Sequence, residues 1–232
     1  MNENIPLYQP SISQAERKNV INCLEENWIS SKGKFIKKFE DNFKNKFHYK
    51  YATVTTNGTT ALHLAILSLN LKKGDEVIVP NLTYIAPCNA VSYVGAKVVL
   101  ADVNINSWLM DKESITKCIS KKTKAIILVH LYGFTYDFRE INELKKKYNF
   151  KVIEDCAEAV GSKYKDTFVG NFSDIATFSF YGNKTITTGE GGMVVTRNKK
   201  LFTKIVKLKS QGLSIKKKMI IIIMRLLVIT IG

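Results

Sequence analysis

Residues 124–155 read KAIILVHLYGFTYDFREINELKKKYNFKVIED, and this stretch decides the fold. Two short β-rich runs, Lys124–His130 and Lys151–Asp155, flank an amphipathic segment, Phe138–Tyr148. The first run is apolar throughout residues 125–129, as expected of a strand that is buried on both faces of a sheet. A strand, a helix and a second strand in this order predict a parallel βαβ unit.

The same alternation extends in both directions along the chain. Further β-rich runs lie at Ala52–Thr56, Glu76–Pro80, Lys97–Asp102, Asp174–Phe180 and Gly192–Thr196, and further helical stretches at Thr60–Leu69, Ile85–Val94 and Lys112–Ile119. We predict an α/β fold with a mainly parallel seven-stranded sheet and helices on both faces. The gap before the last run is too short for a helical crossover, so we expect that strand to be antiparallel. Residues 1–50 are predicted to form a helical N-terminal segment, with helices over Ser13–Glu26 and Gly33–Phe47.

The composition indicates a folded protein with a misleading charge. The chain has 232 residues, of which 45% are hydrophobic, and a formal net charge of +15. Such a charge usually suggests nucleic acid or an acidic membrane as a partner. However, only four of the 35 basic residues are arginine, the side chain that proteins favour for phosphates and base edges. We therefore expect no nucleic-acid or membrane partner. Four widely spaced cysteines and no signal-peptide pattern predict a cytoplasmic protein.

The first β-rich run leads into a candidate anion site. Ligands of open α/β sheets bind beyond the carboxyl ends of the strands. Here Thr55–Leu62 reads TTNGTTAL, and a Gly-Thr-Thr turn that opens a helix offers backbone amides, hydroxyls and the positive helix end. Gly58 and Thr59 are therefore candidates for holding a phosphate. The alternative is an ordinary helix cap with a turn glycine.

Three other candidate side chains follow strands at the same predicted edge. The ring of Tyr84 could stack on a planar cofactor or pack in the core. Asp155, which follows Glu154 at a strand end, could pair with a pyridinium N–H or cap the next turn. Lys184 lies between a buried strand and a glycine-rich return, where a poorly solvated lysine can form a Schiff base.

Three separated segments together resemble one enzyme family. Asn57–Leu64, Glu154–Ala159 and Phe178–Gly192 are similar in order and spacing to the DegT/StrS-type sugar aminotransferases. The resemblance runs from Ile5 to about Ser214. It implies the aspartate-aminotransferase-like fold, which is fold type I of the enzymes that use pyridoxal 5'-phosphate (PLP).

The resemblance also implies a role for each candidate residue. Lys184 would bond the cofactor and then move the proton between cofactor and substrate. Asp155 would keep the pyridine nitrogen protonated, so that the ring acts as an electron sink. Glu158 would lie near the ring hydroxyl or the Schiff base. Gly58, Thr59 and Ser179 would hold the phosphate, and Tyr84 would stack on the ring. No metal is expected.

The implied reaction is amino transfer to a sugar. Dehydratases of this family carry histidine where this chain has Lys184, so lysine favours true transfer. Glutamate would donate the amino group, and a nucleotide-linked 4-keto-6-deoxy sugar would accept it. Within the family, the chain is most similar to enzymes that aminate GDP-4-keto-6-deoxymannose at C4 for surface polysaccharide. A homodimer is implied.

The tail departs from the family. We predict a PLP-binding large domain over residues 51–214, a missing small C-terminal domain, and an aberrant tail over residues 215–232. The codons of Met219–Gly232, read from the third base of each triplet, can encode Gly-Tyr-Asn-Tyr-Arg-Met, which resembles a motif of the family. A one-base slip in the codons of Lys216–Lys218 would explain this, and sequencing the gene there tests it. Weak cofactor retention and low activity are then expected, and the alternative function is an inactive remnant that at most binds a partner.

Overall fold

A seven-stranded sheet organises the chain. The computed structural model describes Pro6 and residues 8–212, so the predicted tail at 215–232 lies outside the described residues. The strands are β1 (Tyr51–Thr55), β2 (Glu76–Pro80), β3 (Lys97–Ala101), β4 (Thr123–Val129), β5 (Lys151–Asp155), β6 (Lys163–Tyr164), β7 (Thr167–Phe168), β8 (Ile175–Ser179) and β9 (Gly192–Thr196). The short strands β6 and β7 form a separate antiparallel hairpin that the sequence analysis did not identify.

The strand pairing confirms the predicted mainly parallel sheet with an antiparallel last strand. The large sheet runs β1-β9-β8-β5-β4-β2-β3, and β9 is antiparallel to both of its neighbours while the other pairs are parallel. The return into β9 passes close to the turn that follows β1. A Cβ atom at Gly192 would clash with the carbonyl oxygen of Asn57, so only glycine allows this approach.

Seven α-helices lie within the described residues. They are α1 (Gln14–Glu25), α2 (Lys34–Lys46), α3 (Gly58–Ser68), α4 (Ala86–Tyr93), α5 (Lys112–Cys118), α6 (Phe138–Tyr148) and α7 (Lys199–Lys209). The first six match the predicted helical stretches to within two residues at each end. Helix α7 was not predicted, although Asn198 caps it through hydrogen bonds from the amides of Lys200 and Leu201. Every helix of the described chain is too short or too polar to cross a bilayer.

The alternating side chains of β4 show that both faces of the sheet are covered. Ile127 packs in a core with Leu62 of α3 and Ile205 of α7. Ile126 and Leu128 point the other way, into a core shared with α5 and α6. A third core joins α2 to the end of the sheet that carries β8 and β9. The prediction, made from the apolar run, that this strand is buried on both faces is therefore confirmed.

Candidate active site

The carboxyl ends of four parallel strands bring the predicted site residues to one edge of the sheet. Gly58 follows β1, Tyr84 follows β2, Asp155 ends β5 and Ser179 ends β8. In the ladder, Asp155 is opposite Val129 on one side and Thr177 on the other, so it lies at the very end of the buried strands. Ligands of open α/β sheets bind at this edge.

The N-terminus of α3 forms a cradle against the end of β8. The side chain of Asn57 accepts a hydrogen bond from the Thr60 amide at 2.9 Å, which caps the helix. The amides of Gly58 and Thr59, also in the first turn, have no carbonyl one turn earlier to bond. A Cβ atom at Gly58 would lie 2.8 Å from Cβ of Ser179. This close approach brings the Ser179 hydroxyl beside the helix terminus, which suits an anion.

The amine of Lys184 is held by Glu158. The distance from Lys184 Nζ to Glu158 Oε1 is 3.2 Å, and the other carboxylate oxygen accepts the amide of Tyr132 at 3.0 Å. The Lys184 side chain is only 18% exposed. A turn after β8, in which the Lys184 amide donates to the carbonyl of Tyr181, sets its position. The structure therefore brings together Lys184 and Glu158, two of the predicted catalytic residues.

Asp155 is a buried carboxylate with one oxygen available. Its Oδ1 accepts the amide of Ala157 at 3.1 Å, and no other hydrogen bond reaches this carboxylate within the described residues. Burial raises the pKa of Asp155 to about 6, against the lowering effect of the Ala157 amide and of the charges of His130 and Lys184. One Asp155 oxygen thus caps the next turn, which was one of the two predicted alternatives. The other oxygen can pair with a cationic nitrogen.

Behind this site lies a buried network that the sequence analysis missed. Glu154 accepts the amides of Gly170 at 2.7 Å and Phe172 at 3.1 Å. Its Oε2 also lies 3.1 Å from Nε2 of His130, whose Nδ1 lies 3.2 Å from the carbonyl oxygen of Phe134. A histidine directly after a buried strand was the available signal for this network.

The same network could be mistaken for a metal site. The ligand atoms of His130, Glu154 and Cys156 lie within 4.8 Å of one another, and all three residues are buried. Both ring nitrogens of His130 and both carboxylate oxygens of Glu154 already have partners. Burial also raises the pKa of the Cys156 thiol, which disfavours the thiolate that a metal needs. The cluster therefore serves to connect the loops around β5.

Tyr84 is exposed at the ligand edge. Its side chain is 76% accessible, which excludes the alternative of core packing. Its ring makes no aromatic pair with another described residue. The Tyr84 ring therefore lies at the predicted ligand-binding edge of the sheet, but it makes no aromatic contact there.

The donor set fits PLP. A buried carboxylate with one available oxygen matches a protonated ring nitrogen, as in Asp155. The cradle between Gly58 and Ser179 matches a phosphate. Because Gly58 has no Cβ atom, the space between the helix terminus and Ser179 stays open for an anion. The poorly exposed amine of Lys184 matches an aldehyde carbon.

The comparisons with known proteins agree with this chemistry. A sequence model of the DegT/DnrJ/EryC1/StrS aminotransferase family matches residues 10–224. The GDP-perosamine synthase of Escherichia coli O157:H7 is 55% identical over 211 residues, which are 91% of this chain and 58% of that protein. The chain therefore spans little more than half the length of this curated relative.

Solved structures show the same fold. The aminotransferase from Psychrobacter cryohalolentis superposes with a TM-score of 0.86 at 38% identity, over 90% of this chain and 53% of that one. A GDP-4-keto-6-deoxymannose-3-dehydratase with a trapped PLP-glutamate geminal diamine superposes with a TM-score of 0.85 at 31% identity. That match covers 90% of this chain and 55% of the dehydratase.

Proposed function

The chain belongs to the DegT/DnrJ/EryC1/StrS aminotransferase family, and we propose that it transfers an amino group from glutamate to a GDP-linked 4-keto-6-deoxy sugar with PLP as its cofactor. The family and the α/β fold predicted from the sequence are thereby confirmed. The substrate follows the curated relative, which is a GDP-perosamine synthase. One observation carries the proposal: the Lys184 amine lies 3.2 Å from the Glu158 carboxylate, beside the buried Asp155.

Two groups of residues would hold the cofactor. Asp155 would bind the ring nitrogen through the oxygen that the Ala157 amide does not use. The amides of Gly58 and Thr59 and the hydroxyl of Ser179 would hold the phosphate at the positive end of α3. When bound, PLP supplies an electron sink that stabilises negative charge on the substrate carbon.

Lys184 and Glu158 would carry out the proton transfers of the reaction. A lysine amine that has lost its proton is a base, and transamination requires a proton to leave one carbon and arrive at another. Glu158 Oε1 accepts a hydrogen bond from Lys184 Nζ. This bond orients the amine, and the Glu158 carboxylate can take a proton from it. The amide of Tyr132 fixes the other oxygen of Glu158, so the carboxylate cannot swing away.

Tyr84 completes the proposed site. Its exposed ring, in the segment after β2, would cover one face of the cofactor ring by stacking. We also propose that the protein works as a homodimer in the cytoplasm, in the synthesis of surface polysaccharide, as the family resemblance implies. Charge gives no reason to propose a nucleic-acid partner, since arginine is scarce.

An isotope experiment tests the proposed reaction. The chain is incubated with PLP, nitrogen-15 glutamate and GDP-4-keto-6-deoxymannose, and the nucleotide sugars are analysed by mass spectrometry. We expect a GDP-4-amino sugar that carries nitrogen-15, with one 2-oxoglutarate formed per amino sugar. The Lys184→Arg variant should form none. A deoxygenated keto sugar as the product would contradict amino transfer and indicate dehydration. No product, together with no cofactor bound at Lys184, would support the inactive remnant instead.

A further inference from the structure

Two partly exposed aromatic residues, one of them linked to Lys184 through Glu158, have unusual backbone angles. Trp108 has φ +58° and Tyr132 has φ +50°, in the left-handed region that large side chains rarely adopt. The other described non-glycine residues with positive φ are Asn27, His48, Asn70, Asn149, Lys165 and Gln211. Trp108 and Tyr132 are thus the two largest side chains in this set, and they contact each other. Their ring centroids are 6.0 Å apart and the rings meet edge to face.

Neighbouring contacts hold both residues in these conformations. The amide of Tyr132 donates to Glu158 Oε2, and the next amide, of Gly133, donates to the carbonyl of His130 at 3.2 Å. The amide of Trp108 donates to the carbonyl of Asn104 at 2.8 Å. Backbone strain that the surrounding structure maintains is concentrated at functional sites. Both rings of this pair are exposed to solvent rather than buried in the core.

The position of the pair points to the substrate. Tyr132 is 70% exposed and Trp108 is 45% exposed. One carboxylate, with a hydrogen bond on each side, separates the Tyr132 amide from Lys184 Nζ. A sugar whose carbon reacts at Lys184 therefore has its own ring within reach of Tyr132. In a nucleotide-diphosphate sugar, two phosphates and a ribose separate the base from that ring, so the base lies farther away.

We propose that Trp108 and Tyr132 form a platform that binds the apolar C–H face of the hexose at Lys184. This inference rests on the proposed function. The negative face of an aromatic ring attracts the weakly positive C–H groups of a sugar. A 6-deoxy sugar adds a methyl group to its apolar surface, so this platform also favours 6-deoxy over ordinary hexoses.

Trp108 itself can report on the platform. The chain has two tryptophans, and Trp28 lies before α2, against Gly33. The Trp28→Phe variant leaves Trp108 as the single tryptophan. This protein, loaded with PLP, is titrated with GDP-mannose and with GDP, while calorimetry measures binding of each. We expect a saturable change in Trp108 emission with GDP-mannose and none with bound GDP. The same emission change with bound GDP would place the nucleotide on the platform and overturn the proposal. An unchanged Trp108 emission when GDP-mannose is bound would also overturn it. So would calorimetry that shows no binding of GDP-mannose.

Two substitutions at Tyr132 test the ring against the backbone. Asparagine tolerates positive φ, so Tyr132→Asn removes the ring while keeping the conformation. We expect it to raise the KM for the keto sugar by roughly threefold to tenfold, the scale of one aromatic contact, without changing the KM for glutamate. Tyr132→Phe retains the ring, so its KM for the keto sugar should equal that of the unmodified chain. An unchanged KM for the sugar in Tyr132→Asn would overturn the platform. Borohydride trapping of PLP on Lys184 in the same samples shows separately whether the proposed function holds.

Discussion

Replacing Asp155 by asparagine is expected to change how the stability of the chain depends on pH. Burial raises the pKa of Asp155 from 3.8 to about 6 in the folded chain, whereas in the unfolded chain it returns to about 3.9. The positive charges of His130 and Lys184 partly oppose this rise, and the charge of Glu158 adds to it. Ionised Asp155 therefore destabilises the chain as long as no cation pairs with it.

The sign and size of the effect follow from proton linkage. Between about pH 4 and about pH 6 the folded chain binds more protons than the unfolded chain, so the free energy of unfolding falls as pH rises through this window. The loss persists above about pH 6. A shift of about two units corresponds to roughly 2–3 kcal/mol. An asparagine side chain cannot ionise, so the Asp155→Asn variant is expected to lack this loss.

The assay is urea unfolding of the cofactor-free chain at a series of pH values. The free energy of unfolding of Asp155→Asn minus that of the unmodified chain is expected to increase by roughly 2 kcal/mol from about pH 4.5 to about pH 7.5, because part of the loss has already occurred at about pH 4.5. Other titrating groups cancel in this difference. The surface variant Asp102→Asn serves as the control and should not reproduce the increase. Parallel profiles for Asp155→Asn and the unmodified chain would refute the reasoning.

Further predictions concern the cradle and the buried network. Gly58→Ala is expected to cost about 1–3 kcal/mol of unfolding free energy and to weaken phosphate binding, because its Cβ meets Ser179 at 2.8 Å. Gly182→Ala, with no neighbour within 4 Å, should cost less than about 0.5 kcal/mol, and equal losses in thermal unfolding would contradict the close approach. Glu154→Ala should cost about 3–5 kcal/mol because it leaves buried donors without an acceptor. Glu143→Ala breaks only an exposed ion pair and should cost far less than Glu154→Ala in urea unfolding, so a similar cost for both would refute the role of Glu154.

Local sequence patterns were sufficient for most of the fold. The apolar run of β4 predicted a doubly buried strand because both of its faces need apolar side chains. The short return before Gly192 predicted the antiparallel strand because a parallel connection needs more residues. The edge position of Tyr84, Asp155 and Lys184 followed from the rule that ligands bind at the carboxyl ends of strands.

Contacts between distant segments could not be predicted in this way. Glu154 bonds the amides of Gly170 and Phe172, which are 16 and 18 residues away, and no local pattern encodes that turn. The contact between Trp108 and Tyr132 brings together two loops that are 24 residues apart in the sequence, and only the Tyr132 loop is bonded to Glu158. Such pairs result from tertiary packing.

The central claim is that Lys184 is the residue that binds PLP. The measurement is borohydride reduction of the chain with saturating PLP, followed by peptide mapping by mass spectrometry. We predict that the pyridoxyl group lies on Lys184 far above any of the other lysines, and that Asp155→Asn lowers the label at Lys184 alone. A label spread evenly over the lysines, or absent from Lys184, would contradict the account.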